Sequence, residues 1–537
     1  MSSVTIYDTT LRDGMQGEGI SFSEEDKLKI ARKLDEFGVA YIEGGWPGAA
    51  PTDTEFFRRA KNVKFKNAKL VAFGSTRRAK NTAADDPYVQ KLVQADTSVI
   101  TIFGKSWDLH VRDVFRVSLE QNLEMIRDTV SYLVGQGKQV IFDAEHFFDG
   151  YKADREYALE TLKVAEEAGA SCLVLCDTNG GSLPHEVEQI TTEVVGRFRL
   201  PIGIHAHNDS ELGVANTVAA VRAGAKHVQG TINGLGERCG NANLCSIIPI
   251  LQLKMGIKCV PEESMSRLVE LSRYVYEVAN IVPDDTLPFV GASAFAHKAG
   301  VHADAVEKNP QTYEHIDPAL VGGTRRILIS SYAGGSNVVH MAKRLNIDLK
   351  KQDPQVRALL DHVAALEREG YSFEEAEASF ELVVKKALGQ YQKVFDLKGF
   401  RVIIEKRGPD DKCITEATLK IAVDGQEAFT VAEGDGPVHA LDNALRLALK
   451  RFYGKELAKI KLSDFKVRVV NSRAGTAAKV RTLIESRDSE TSWSTVGVSE
   501  NIIEASWKAL ADSVEYGLLR HLEKKESANP PEPKTAN

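Results

Sequence analysis

Leu200-Pro-Ile-Gly-Ile204-His205-Ala206-His207-Asn208-Asp209 is the stretch from which the rest of the chain can be read. Ile202 and Ile204 alternate with small residues, as in a buried strand, and the run ends on two histidines two positions apart. On a strand that spacing sets both imidazoles on one face. Two neutral imidazoles converging on one point begin a divalent-metal site. A hydrogen-bonded histidine pair in a polar cleft is the alternative, and the pair alone decides neither metal nor chemistry.

Outward from this strand, short apolar runs alternate with amphipathic ones. The strand-like runs are 4–8, 40–44, 69–73, 98–103, 139–143, 172–177, 202–207 and 227–232, with helical patterns such as 23–37, 118–134, 154–168 and 211–223 between them. Gly38, Gly137, Gly169 and Gly224 fall where those helices should stop. Eight such units in about 250 residues predict a (β/α)₈ TIM barrel, with a doubly wound open sheet as the runner-up.

A barrel demands chemistry at the carboxyl ends of its strands. The first run is followed by Asp8-Thr-Thr-Leu-Arg12-Asp13-Gly14, the second by Glu43-Gly-Gly, and the fifth by Asp143-Ala-Glu145-His146. The sixth ends in Asp177-Thr178, the seventh in the histidine pair, and the eighth in Asn233-Gly-Leu-Gly-Glu-Arg-Cys-Gly-Asn241. A single carboxylate at a strand end is ordinarily a helix cap or an ion pair. Six polar strand ends gathered at one mouth point instead to a site.

With 537 residues the chain exceeds one ordinary core, so smaller domains should follow the barrel. The formal net charge of -7 argues against nucleic acid as a partner, and an acidic substrate would need local basic groups. No signal-peptide pattern precedes Val4 and no apolar run is long enough for a membrane span, so neither export nor a membrane is expected. Six cysteines without a Cys-x-x-Cys indicate no disulfide framework, and a reducing cytoplasm is the expected location.

The expected layout is a barrel over 1–260, a helical arm and linker over 261–385, a C-terminal α+β domain over 386–520 and a disordered tail over 521–537. Residues 256–285 read as an arm leading off the barrel, and 336–384 as a small helical subdomain with a break at Pro354. A shift of 65 residues superimposes the last domain on itself, Phe400 on Phe465, Val402 on Val467, Leu419 on Ile484 and Ala444 on Ala509. Each copy reads as β-β-β-α. One helix covers a sheet face poorly, so the two copies should pack as a pair, within one chain or across a dimer.

Asp8-Thr-Thr-Leu-Arg-Asp-Gly, His-Ala-His-Asn-Asp and Asn-Gly-Leu-Gly-Glu-Arg-x-Gly-Asn, in this order, resemble the acyl-CoA-condensing metal-dependent barrels, a family that includes 2-isopropylmalate, homocitrate and citramalate synthases. The resemblance runs from residue 4 to about 515. It implies an acyltransferase with Asp13, His205, His207 and Asn241 as ligands of Mg²⁺ or Mn²⁺, Zn²⁺ fitting as well, and with Arg12 beside a 2-oxo acid. Acetyl-CoA is the implied co-substrate, under a loop holding Gly234, Gly236, Glu237, Arg238 and Gly240. Cys239 in the third glycine position weakens a nicotinamide reading of that loop. Proton removal falls to Glu145, or to His302 with Tyr313, which the family brings in from outside the barrel.

The oxo acid's side chain is expected near Phe73, Phe103 and Asp143, with Thr178 also on the substrate. Two phenylalanines leave more room for a methyl than for an isopropyl group, so pyruvate is expected, with 2-oxoisovalerate or 2-oxoglutarate as alternatives. Phe142-Asp-Ala-Glu-His-Phe-Phe-Asp-Gly also resembles the citramalate branch more than the isopropylmalate branch. The duplicated domain resembles the family's regulatory domain. That implies a homodimer and an amino-acid effector, isoleucine for a citramalate product, against the alternative that the domain only holds a dimer together. A hydroxyacyl-CoA lyase and a non-catalytic metabolite sensor are the other classes open.

Overall fold

The computed structural model describes residues 3–298, 300–327, 353–470 and 477–528. Eight parallel strands, β1 (Thr5–Asp8), β2 (Tyr41–Gly45), β3 (Lys69–Ser75), β4 (Val99–Lys105), β5 (Gln139–Glu145), β6 (Cys172–Asp177), β7 (Ile202–Ala206) and β8 (His227–Gly230), follow one another around a closed barrel. β8 pairs back onto β1, Thr5 opposite His227 and Asp8 opposite Gly230, so the open-sheet alternative is excluded. Both faces of the strands are buried, so they read as near-continuous apolar runs. Val99, Ile141, Cys172 and Val174 fill the lumen, while Ile100, Ile102, Phe142 and Leu173 pack under the surrounding helices.

The first helix, Glu24–Phe37, starts on a Ser23/Asp26 capping box and stops at Gly38, whose φ is 92°. A Cβ on Gly38 would lie 2.5 Å from the Pro261 ring, so a side chain is barred there twice over. Residues 256–285 are no arm. Leu268, Leu271 and Val275 of the helix Leu268–Ala279 join the barrel's own core, and Lys33 bonds Glu270 across 3.2 Å. The compact barrel unit runs to Phe295 and takes in 316–325, so the boundary expected near 260 moves. Periodicity shows that a helix has a face to bury, and only the neighbour decides against what.

The second unit comprises 296–315 and 326–537. Pro354 opens the helix Pro354–Glu369, in the first-turn position where its missing N–H costs nothing and where a break between helices falls. Residues 336–352 of the expected helical subdomain lie outside the described residues. The duplication appears as two three-stranded antiparallel sheets, Asp396–Glu405, Ile414–Val423 and Gln426–Gly434, then Lys461–Val469, Val480–Arg487 and Ser492–Ser499. Each leads into a helix, Pro437–Leu457 and Ile502–Ala528. Leu419, Leu441 and Leu445 of the first copy share a core with Ile484, Leu510 and Val514 of the second, so the copies pair within one chain.

The second sheet is also covered on its other face, where Val496 and Val498 pack against Phe373 and Phe380. On the first sheet Val431, the counterpart of Val496, is 44% exposed and its neighbour Phe429 67% exposed. The tail begins later than expected, because the last helix continues to Ala528, held by Lys385–Glu523 (2.9 Å) and Lys525–Glu456 (3.5 Å). Residues 529–537 lie outside the described residues. No helix among the described residues is long and apolar enough to cross a membrane.

Candidate active site

A parallel barrel frees its strand-end side chains at one mouth. β7 delivers His205 and His207 to the same side, ring centroids 5.2 Å apart, and Asp13 meets them from the loop after β1. The donor atoms of these three buried residues lie within 4.8 Å of one another. Asn241 stands opposite His207 in an isolated antiparallel bridge. Asp13 Oδ2, His207 Nδ1 and Asn241 Oδ1 are buried without a hydrogen-bond partner. Buried polar atoms are nearly always paired, so a carboxylate, an imidazole and an amide oxygen left open together, with His205 Nε2 3.2 Å from that carboxylate, mark ligands for a cation. The donor set fits Mg²⁺ or Mn²⁺, and Zn²⁺ also.

Electrostatics support this. Burial alone would raise the Asp13 carboxyl, but Arg12 at 3.3 Å and His205 hold it well below the usual carboxylate range. Burial pushes His207 down to about 4, leaving a neutral imidazole at pH 7. For His205 burial acts downward too, yet the Asp13 carboxylate 3.2 Å from Nε2 outweighs it and raises its pKa.

Beside the cation site lies a cleft of about 240 Å³. Phe73 and Phe103 stack with centroids 5.6 Å apart, and Trp46 stands edge-on to both, at 6.0 and 5.6 Å. Arg12 spans the two regions. Its Nε donates to Glu43, it pairs with Asp13, and its Cζ lies 3.8 Å from the centroid of Phe73. Asp143 and Thr178 line the same cleft, Asp143 with its pKa raised by burial to about 7. Glu145 lines it as well and is ion-paired with the buried Lys105.

The loop after β8 folds over the mouth. Arg238 donates to both Asp209 oxygens, at 2.7 and 2.8 Å, and to the Thr178 carbonyl at 2.8 Å, while Glu237 and Arg238 line the cleft. Its glycines make this closeness feasible: a Cβ on Gly236 would meet Asn241 Nδ2 at 2.2 Å, and one on Gly240 the Gly234 carbonyl at 2.0 Å. His302 and Tyr313 are residues of the second unit, where their rings stack with centroids 4.0 Å apart. Two strand-end acids turn out to be structural. Asp177 accepts from the Ser182 N–H and hydroxyl, and Asp8 from the Thr10 N–H and hydroxyl.

Trp46, Lys105 and Gln229 were not anticipated. Trp46 follows directly on Glu43-Gly-Gly at the end of β2, and Gln229 is a polar residue inside an apolar strand; both were signals in the sequence.

Comparison with known proteins agrees with this architecture. Residues 3–275 match the HMGL-like family model, 289–370 the homocitrate synthase post-HMGL domain-like model, and 374–518 the LeuA allosteric (dimerisation) domain. The chain belongs to the HMGL-like family, in the branch of the (R)-citramalate synthases. It is 56% identical to the (R)-citramalate synthase of Aquifex aeolicus over 96% of this chain and 98% of that one, and 55% identical to that of Geobacter sulfurreducens over the same shares. Likeness to a probable 2-isopropylmalate synthase of Methanopyrus kandleri is 33% over 95% of this chain and 97% of that one. Among solved structures, the HMG-CoA lyase of Bacillus subtilis matches 53% of this chain and 97% of its own at 23% identity and TM-score 0.46, too distant to bear on the reaction.

Proposed function

We propose that the chain condenses acetyl-CoA with pyruvate and water to give (R)-citramalate and free CoA. One observation carries this reading: Arg12 touches both the carboxylate of the cation site and the aromatic wall of the cleft. A 2-oxo acid bound between them has its oxygens at the cation site and its side chain against the rings. In this reading Asp13, His205, His207 and Asn241 hold the divalent cation, which supplies Lewis-acid polarisation of the oxo acid's carbonyl. Arg12 stabilises the alkoxide that develops when the acetyl carbon attacks. Glu145 takes the proton from the acetyl methyl, its carboxylate kept in place by Lys105. His302 and Tyr313 remain the alternative for that step. Asp143 and Thr178 face the oxo acid, and the loop Gly234, Gly236, Glu237, Arg238 and Gly240 takes the acyl-CoA.

Phe73, Phe103 and Trp46 favour pyruvate over branched oxo acids. The duplicated domain is proposed to bind isoleucine and to join two chains; the exposed Phe429 and Val431 supply an apolar face for such pairing. The expected setting is the cytoplasm, on the isoleucine pathway. Thiol release from acetyl-CoA across a panel of 2-oxo acids tests the reaction. Release with pyruvate alone supports it, and release with 2-oxoisovalerate alone overturns the substrate. Titration of isoleucine, leucine and valine on the full chain tests the effector, and an unchanged rate with all three leaves only dimerisation.

A further inference from the structure

Gln229 lies wholly buried inside β8, below the cation site, and every polar atom of its amide is occupied. Oε1 is 2.8 Å from His205 Nδ1, while Nε2 is 3.0 Å from Asp143 Oδ1 and 3.4 Å from His227 Nε2. These three contacts determine which way the amide points. Nε2 is the donor to Asp143 Oδ1 at 3.0 Å, which sets Oε1 toward His205. The second N–H then falls to His227, an imidazole that burial keeps neutral. What remains for His205 is the carbonyl oxygen. It can only accept, so Nδ1 carries a proton whatever the charge of the ring, and Nε2 is the nitrogen left to present a lone pair to a cation. Nε2 is the atom that faces Asp13 Oδ2 at 3.2 Å.

We propose that Gln229 is a positioning residue that locks His205 in its Nδ1–H form, presents Nε2 as a ligand, and ties that ligand to Asp143 in the substrate cleft. It touches neither cation nor oxo acid and acts through the two groups that do. Residues hydrogen-bonded behind a metal-bound histidine commonly contribute 10- to 100-fold to metal affinity, roughly the effect expected here. The inference rests on the cation site, not on which oxo acid is used.

The test is Mn²⁺ binding to the metal-free full chain, followed by calorimetry. Gln229→Leu removes both bonds, and a Kd raised by roughly 10- to 100-fold is expected. Gln229→Met fills a similar volume without an amide oxygen and should lose as much as Gln229→Leu. An unchanged Kd in Gln229→Leu overturns the proposal, and so does a loss that Gln229→Met does not share, which would assign the effect to packing. A reading independent of any variant comes from ¹⁵N NMR of the histidine-labelled parent loaded with Mg²⁺. His205 should carry its proton on Nδ1, and a proton on Nε2 overturns the lock. Failure of the parent to bind Mn²⁺ would overturn the cation site itself, an outcome distinct from either of these.

Discussion

The guanidinium carbon of Arg12 lies 3.8 Å from the ring centroid of Phe73, while its Nη1 lies 3.3 Å from Asp13 Oδ1. One side chain therefore connects the charged half of the site to the apolar half. Glu43, fully buried and bonded by the Tyr7 hydroxyl at 2.6 Å, fixes Arg12 from behind. Arg→Lys at this position keeps the charge but loses the planar fork that stacks on the ring and reaches both acids. Turnover of Arg12→Lys should fall by at least about a hundredfold. Steady-state kinetics decide the role: a higher KM for the oxo acid with kcat retained would make Arg12 a ground-state anchor.

His207 is a neutral imidazole whose Nδ1 has no partner, so its removal leaves no broken hydrogen bond at that atom. His207→Ala should abolish turnover and lower metal content while leaving the circular dichroism spectrum and thermal midpoint close to those of the parent. Normal turnover in this variant, or in chelator-treated protein, would remove the cation from the reaction.

In the proposed reaction, substrate size is read by three rings. The parent should prefer pyruvate over 2-oxoisovalerate by more than the roughly 10- to 200-fold that one methylene commands, since two added methyls meet aromatic walls. Trp46→Leu opens the edge-on wall and should narrow that preference by at least about tenfold in kcat/KM. A preference that survives intact in Trp46→Leu would leave the discrimination to Phe73 and Phe103 alone.

Asp8 is fully buried, and burial raises its pKa to about 7 against the two bonds from Thr10 that lower it. Its folded value therefore lies above its unfolded one of 3.8. The native state then holds the extra proton between about pH 4 and 7, so the contribution is full below pH 4 and is lost as pH rises through 7. Asp8→Asn removes this term. Between pH 5 and 8 the variant should gain on the parent by up to roughly 3 kcal/mol, read from denaturant midpoints of the metal-free barrel transition. Parallel pH dependences would mean that Asp8 stays ionised in the native state.

By itself the sequence determined the barrel, its strands and the residues at its mouth. The reason is local. A strand buried on both faces needs an unbroken apolar run such as Cys172–Cys176, a helix end needs a glycine such as Gly38, and a strand period of two puts His205 and His207 together. The 65-residue duplication was legible for the same reason, because each copy repeats one local pattern. Only the tertiary structure decided the rest. The helix Leu268–Ala279 joined the barrel because its apolar face met Glu24–Phe37, a contact with no trace in periodicity. Trp46 met Phe73 and Phe103, and Gln229 met His205 and Asp143, across strands far apart in the chain. Asp8, Asp13, Asp143 and Asp177 read alike as strand-end acids. Burial and the nearest cation or hydroxyl separated them into two structural acids, one member of the candidate cation site and one acid lining the cleft beside it.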